Sequence, residues 1–164
     1  DVPYSQLELE KIGVLDFFNK VVGFFNQGQQ KRIHINTDLS NNSHLLIDLT
    51  KMIICIKNIV QNAFKYADTK KGVDISILLS KNMYIVELQD YGPGIKEEDR
   101  PHVFESFYRA SVSKKISGFG LGLAISKKII EAHKGTIDLA KDEDGKGCRF
   151  VIKIPVLEGR ENDK

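Results

Sequence analysis

Four short stretches of this chain carry residue types suited to holding a polyanion. In the first, Asn58 to Tyr66, the helical spacing of Asn58, Asn62 and Lys65 offers two amides and an ammonium. In the second, Asp90 feeds a glycine turn through Tyr91, Gly92, Pro93 and Gly94. The third, Phe104 to Arg109, places a guanidinium beside three aromatic rings. The fourth, Gly118 to Leu123, is a glycine-rich entry to an apolar helix pattern, where exposed backbone amides and the helix dipole can meet phosphate. In this order, and with this spacing, they point to a nucleotide site, with ATP as the ligand.

Each stretch taken alone has a plainer reading. At 100° per residue, Ile53, Ile56, Val60, Ala63, Phe64 and Ala67 share one side of the first helix, and Asn58, Asn62, Lys65 and Tyr66 the other. That second side could be a solvated face. Such faces usually favour Glu and Lys, however, because Asn competes with the helix backbone for hydrogen bonds. Asp90 continues the row Tyr84, Val86, Leu88 by strand alternation, so it either caps a turn or waits for a ligand donor. Gly-Pro-Gly often marks only a turn, and Gly118, Gly120 and Gly122 could form a hinge. Phe104, Phe107 and Tyr108 read as packing residues rather than contacts to a base. Arg109 is either a surface charge or a reach toward a terminal phosphate.

The elements that would hold these residues follow from periodicity. Leu7, Leu9, Ile12, Leu15, Phe18, Val22 and Phe25 predict an amphipathic helix from about Gln6 to Asn26, ended by Gly28. Short strands are expected at Arg32 to Asn36 and His44 to Leu49, then a helix from Thr50 to Ala67. A hairpin follows, Val73 to Ser80 and Met83 to Asp90, joined at Lys81 and Asn82. Periodicity fades from Tyr91 to Phe119, a lid candidate that could hold a short helix over Glu97 to Phe107. A helix from Leu121 to His133, with Gly135 beyond it, precedes strands at Thr136 to Ala140 and Cys148 to Ile154. This order implies an α+β fold in two layers, a mixed sheet covered on one face by helices.

Composition limits what the site can be built on. With 164 residues, of which 41% are hydrophobic and 28% charged, the chain is expected to form one domain over residues 1–157, with a disordered polar tail at 158–164. A formal charge of +2 without a dense basic block argues against nucleic acid as a partner. Cys55 and Cys148 lie far apart with no metal-binding spacing, so reduced core residues are expected. With neither a signal-peptide pattern nor a stretch long enough to cross a bilayer, the segment is expected in the cytoplasm, within a parent protein that can be membrane-bound. The start at Asp1, without methionine, suggests a piece of something longer.

From about Ile12 to Pro155 the chain resembles the ATP-binding catalytic domain of sensor histidine kinases. That domain belongs to a superfamily shared with type II topoisomerases, mismatch-repair ATPases and large heat-shock chaperones, built on the Bergerat-type fold. Asn58 to Tyr66 is similar to the family's asparagine box, Asp90 to Gly94 to its first glycine box, Phe104 to Arg109 to its phenylalanine box, and Gly118 to Ile125 to its second glycine box. The resemblance implies that Asn62 holds Mg²⁺, that Asn58 supports the metal and phosphate region, that Lys65 meets phosphate and that Tyr66 packs near sugar or base. It implies that Asp90 accepts the adenine amino group, Gly92 and Gly94 turn the chain under the base, and Gly118, Gly120, Leu121 and Gly122 shape the lid around the phosphates. Arg109 would stabilise charge on the transferred phosphoryl group. Tyr91 and Phe119 depart from the Asn and Thr often found there, which puts polar contacts from those two side chains in question.

An ATP hydrolase of the same superfamily usually carries a Glu where this chain has Asn58, so a phosphotransferase is the expectation and a hydrolase, or a nucleotide-binding regulatory module, the alternative. His34, His44, His102 and His133 are followed by Ile, Leu, Val and Lys rather than by an acidic residue, so none fits the family's acceptor motif. The implied partners are a separate dimerisation and histidine-phosphotransfer domain and a response regulator.

Overall fold

The computed structural model describes residues 6–67, 70–108, 122–141 and 147–156. Arg109, Gly118, Gly120, Leu121, much of the lid candidate, most of the turn before Gly147 and the polar tail lie outside the described residues.

Strands β1 (Leu9–Gly13) and β3 (His44–Asp48) form a small antiparallel pair, with Leu9 opposite Asp48. The main sheet has the order β2-β4-β5-β7-β6, from β2 (Ile33–Thr37), β4 (Val73–Ser80), β5 (Met83–Gln89), β6 (Thr136–Leu139) and β7 (Arg149–Pro155). Strand β2 runs parallel to β4, and every other pair is antiparallel. Alternation along the central strands buries Ile75, Ile77, Tyr84, Val86, Leu88, Phe150, Ile152 and Ile154 on one face. Against that face pack the buried residues of α1 (Val14–Val22), α3 (Leu49–Tyr66) and α4 (Gly122–Ala132) in a single core. This is the expected mixed sheet under one layer of helices, with the β1–β3 ribbon added.

That ribbon corrects the first predicted helix. Leu7 and Leu9 alternate with Glu8 and Glu10, a period of two, and the helix begins only after Gly13, which occupies its N-cap in an extended conformation. Spacings of two, three and four residues overlap across Leu9 and Ile12, so helical counting absorbed a strand. Gly23, not Gly28, ends α1; Gly28 lies in a short second helix, α2 (Gln27–Gln30), which Asn26 starts with a capping box. The β4–β5 hairpin does turn at Lys81 and Asn82, both at positive φ (50° and 61°), the geometry whose twist matches paired strands. The helix considered for Glu97 to Phe107 is only a 3-10 turn at Arg100–His102.

One buried polar cluster fixes the helices to each other. The carboxylate of Asp48 caps α3 by accepting the Lys51 N–H at 3.1 Å, and it also accepts the Glu8 N–H at 3.1 Å and the Lys51 ammonium at 3.2 Å. Burial works against the charge of Asp48, yet these hydrogen bonds leave its pKa lowered. Just beyond α4, His133 is 1% exposed. Its Nδ1–H donates to the Ile129 carbonyl at 2.7 Å, which leaves Nε2 to accept the Asp48 backbone N–H at 3.0 Å. The end of α4 is thereby tied to the start of α3.

An imidazolium at position 133 would oppose one N–H to another, and burial lowers its pKa. The unfolded chain therefore takes up this proton first, and stability present above about pH 6.5 is lost as pH falls below it. Urea unfolding between pH 7.5 and 5.5 should show the wild type weakening, by no more than about 1.4 kcal/mol per pH unit from this group. His133→Gln should be less stable at pH 7.5 and flatter across the range; an unchanged slope would contradict the assignment.

Candidate nucleotide site

Helix α3 presents the first stretch. Met52, Cys55, Ile56, Ile59, Val60, Ala63 and Phe64 are buried, which leaves Asn58 and Asn62 half-buried on its flank. Their position relative to α4 is set by two reciprocal bonds in the dry helix interface. Ser126 Oγ donates to the Cys55 carbonyl at 3.1 Å, and the Cys55 thiol donates to the Ser126 carbonyl at 3.6 Å. Burial pushes the Cys55 thiol up to about 12, so it stays a protonated donor. Three residues forward on α3 and four back on α4, Asn58 meets Gly122. A Cβ placed on Gly122 would stand 3.8 Å from the Asn58 Cβ and 3.9 Å from Asn62 Nδ2. Both amides therefore lie at the first turn of α4. Lys65 is exposed, with its Nζ 5.3 Å above the half-buried ring of Tyr66.

Asp90 stands one residue past β5. Its Oδ1 accepts two backbone N–H groups, from Gly92 at 3.2 Å and from Cys148 at 2.9 Å, while Oδ2 has no hydrogen bond among the described residues. The turn-capping reading of Asp90 and the open-acceptor reading thus hold together, one oxygen each. Burial raises the pKa of this carboxyl, and the two N–H donors counter it only in part. The glycine turn packs directly on the end of α3: a Cβ on Gly92 would stand 2.1 Å from the Ala67 Cβ. Gly94 has φ 78°, a backbone that favours glycine. The fold thus joins Asn58 and Asn62 to Gly122, and joins Asp90 and Gly92 to the Tyr66 and Ala67 end of the same helix.

The remaining aromatic residues divide. Phe104 packs edge-on against Phe150, with ring centroids 6.1 Å apart, and the Lys127 ammonium lies 5.2 Å above it. Tyr108 stacks on His102 at 5.0 Å and donates its hydroxyl to buried Asp99, an interaction that pushes the phenol up to about 12. Phe107 corrects the expectation of packing: it is 73% exposed, at φ 64°. Tyr91 turns away from the helices, and its hydroxyl donates to Asp74, which also meets His34 Nδ1 at 3.0 Å. Burial of the two cysteines as free thiols matches the sequence reading, with Cys148 only half-buried.

Four residues of this region have positioning contacts that sequence reasoning did not assign: Cys55, Ser126, Gly147 and Cys148. Nothing in periodicity couples Asp90 to a residue 58 positions further on. The φ of Gly147 is 92°, and a Cβ there would stand 2.3 Å from the Asp90 carbonyl oxygen.

Comparison with known proteins identifies the family and the fold. Residues 47–158 match the family described as Histidine kinase-, DNA gyrase B-, and HSP90-like ATPase. Sensor histidine kinase YclK of Bacillus subtilis is 30% identical over 93% of this chain and 33% of its own length. Sensor protein SrrB of Staphylococcus aureus is 41% identical over 66% of the chain and 19% of its own. The chain thus spans about a third or less of these curated relatives. The catalytic domain of histidine kinase ThkA, in a nucleotide-free form, superposes with a TM-score of 0.76 at 27% identity, covering 91% of this chain and 96% of that domain.

The contact between Gly92 and Ala67 yields a test. Gly92→Ala must push the glycine turn off the end of α3, an overpacking worth about 1–3 kcal/mol. Chemical denaturation should register that loss, whereas the milder Gly122→Ala, with ordinary 3.8 Å contacts, should cost less. Equal stability of Gly92→Ala and wild type would refute the close packing.

Proposed function

The chain belongs to the histidine kinase-, DNA gyrase B- and HSP90-like ATPase family, and from that membership we propose that it is the ATP-binding catalytic domain of a two-component sensor histidine kinase. In this reading it transfers the γ-phosphoryl group of Mg²⁺-ATP to a histidine on a separate dimerisation domain, from which a response regulator takes it. The observation that carries the nucleotide reading is Asp90: a half-buried carboxylate with one oxygen satisfied and the other without a hydrogen bond among the described residues, beside a glycine turn packed on the asparagine helix.

Within that site Asp90 Oδ2 accepts the adenine 6-amino group, a donor that guanine does not present at that position. Gly92 and Gly94 keep the turn low enough for the base to lie against it, and Tyr66 flanks the sugar or base. Lys65 meets phosphate. Asn62 would hold Mg²⁺ through a hard, neutral side-chain oxygen. The fit is supported by the half-buried Asn62 amide at the first turn of α4, where phosphate is also favoured. When bound, the metal offsets charge on the phosphates. Asn58 supports the same region, and Gly118, Gly120, Leu121 and Gly122 enclose the phosphates. Arg109 stabilises charge as the bond from the γ-phosphorus to the bridging oxygen breaks and a bond to the acceptor imidazole nitrogen forms. ADP leaves, and the imidazole loses its proton.

Asn58 also weighs against the hydrolase alternative, because an amide cannot take a proton from water as a carboxylate can. In this reading the segment works in the cytoplasm, where ATP is supplied.

Titration calorimetry should show Mg²⁺-ATP binding to the wild type and at least a tenfold loss in Asp90→Asn, the scale of a hydrogen bond to a charged group. Asn62→Ala should weaken binding with Mg²⁺ present and change it little in EDTA. With an added acceptor domain, acid-labile phosphohistidine should accumulate there. Rapid ATP hydrolysis by the chain alone would favour the hydrolase instead.

A further inference from the structure

Asp90 is held from two sides, and only one of them lies in its own turn. The near donor is the Gly92 N–H, two residues on. The far donor is the Cys148 N–H, at 2.9 Å the shorter of the two bonds, delivered by the first residues leading into β7. The backbone pairing continues alongside it, since the Asp90 N–H donates to the Cys148 carbonyl at 2.9 Å. This double contact requires the chain to pass very close to Asp90 at residue 147. A Cβ there would stand 2.3 Å from the Asp90 carbonyl oxygen and 2.7 Å from Oδ1 itself. The first atom is backbone, the second is the carboxylate oxygen that the Gly92 and Cys148 N–H groups hold in place, and the φ of 92° is one that L side chains rarely adopt.

We propose that Gly147, with the Cys148 amide it delivers, is a specificity-determining positioning element: it saturates Asp90 Oδ1 and so aims Oδ2 at the 6-amino group of adenine. Gly147 does not touch the base; it acts through Asp90. A carboxylate with only its local Asx-turn bond could rotate and share both oxygens between the turn and solvent. Clamped from the far side as well, it presents a single acceptor in one direction, which is what discrimination between a 6-amino purine and one lacking that group requires. The proposal rests on Asp90 being the adenine acceptor, and its test separates the two claims.

The test uses the 164-residue chain, Mg²⁺-ATP and the Mg²⁺ complex of purine riboside triphosphate, which has hydrogen in place of the 6-amino group, in titration calorimetry. The wild type should prefer ATP by about tenfold or more. Gly147→Ala should bring the two affinities within about twofold, mainly by weakening ATP. Gly135→Ala is the steric control, because a Cβ there meets the Lys153 carbonyl at 2.4 Å but belongs to the far end of the sheet; it should lose stability and keep the preference. A wild-type preference that vanishes in Asp90→Asn but survives in Gly147→Ala overturns the positioning role and leaves the Asp90 reading intact. No preference in the wild type overturns both. If Gly147→Ala fails to fold, the wild type still decides by NMR: the Cys148 amide proton should follow the titration of the Asp90 carboxyl and stop doing so in Asp90→Asn. An amide indifferent to that titration overturns the proposal.

Discussion

The alignment of α3 with α4 is the constraint on which the site depends. Two helices in a dry interface can slide by a turn at small cost if only apolar side chains meet, because dispersion is not directional. Here two polar contacts remove that freedom. The Ser126 and Cys55 pair locks the middle of the interface, and His133 locks the end of α4 to the N-terminus of α3. Each is buried, so breaking it leaves donors or acceptors without water, at a cost of about 1–3 kcal/mol per group. The consequence reaches the other end of the pair. With register fixed below, Asn58 and Asn62 are delivered to Gly122 without any bond of their own to α4 among those described. The groups assigned to the ligand are thus relieved of holding the helices together.

A similar division runs through the sheet. The face under the helices carries the apolar row Tyr84, Val86 and Leu88, and that row ends in Asp90, where the ladder to β7 passes its last bond. A carboxylate continuing a buried row is destabilising unless its charge is met, and the raised pKa of Asp90 reflects that burial. Two backbone amides meet part of that cost, and the pKa remains raised. By contrast, Tyr91 directs its hydroxyl to Asp74 on the opposite face, so the neighbour of Asp90 braces the sheet.

Legibility in the sequence followed the range of the interaction. Helix α3 and the β4–β5 hairpin were read almost to the residue, because burial on one helical face and the positive-φ pair Lys81 and Asn82 are local signals. The β1 strand was misread, since Leu7, Leu9 and Ile12 satisfy two periods and only pairing with β3, more than thirty residues on, decides between them. Phe107 was taken for a packing residue by its type alone, and its positive φ and exposure have no signature in composition. For the site, side chains with unusual types for their place, Asn on a helix face and Asp at the end of an apolar row, were visible. The residues that aim them, Ser126, Gly147 and Cys148, act through backbone atoms or a single hydroxyl across a fold not yet assembled, and residue type reports little of that.

Glycine at the site illustrates why motif glycines resist a single explanation. At Gly94 and Gly147 the backbone occupies positive φ, a conformational demand. Gly92 is in the ordinary half of the map for φ, yet a Cβ there would collide with Ala67 at 2.1 Å, a purely steric demand from the end of α3. Gly122 meets neither restriction among the described residues: the nearest atoms there are at ordinary contact distance and belong to the two asparagines. Space left in front of paired amides at a helix entrance stabilises nothing in the folded chain itself. In the proposed nucleotide reading, a side chain placed there would occupy ground that a phosphate oxygen needs in order to reach the α4 backbone amides, while the described residues make no comparable steric demand on Gly122.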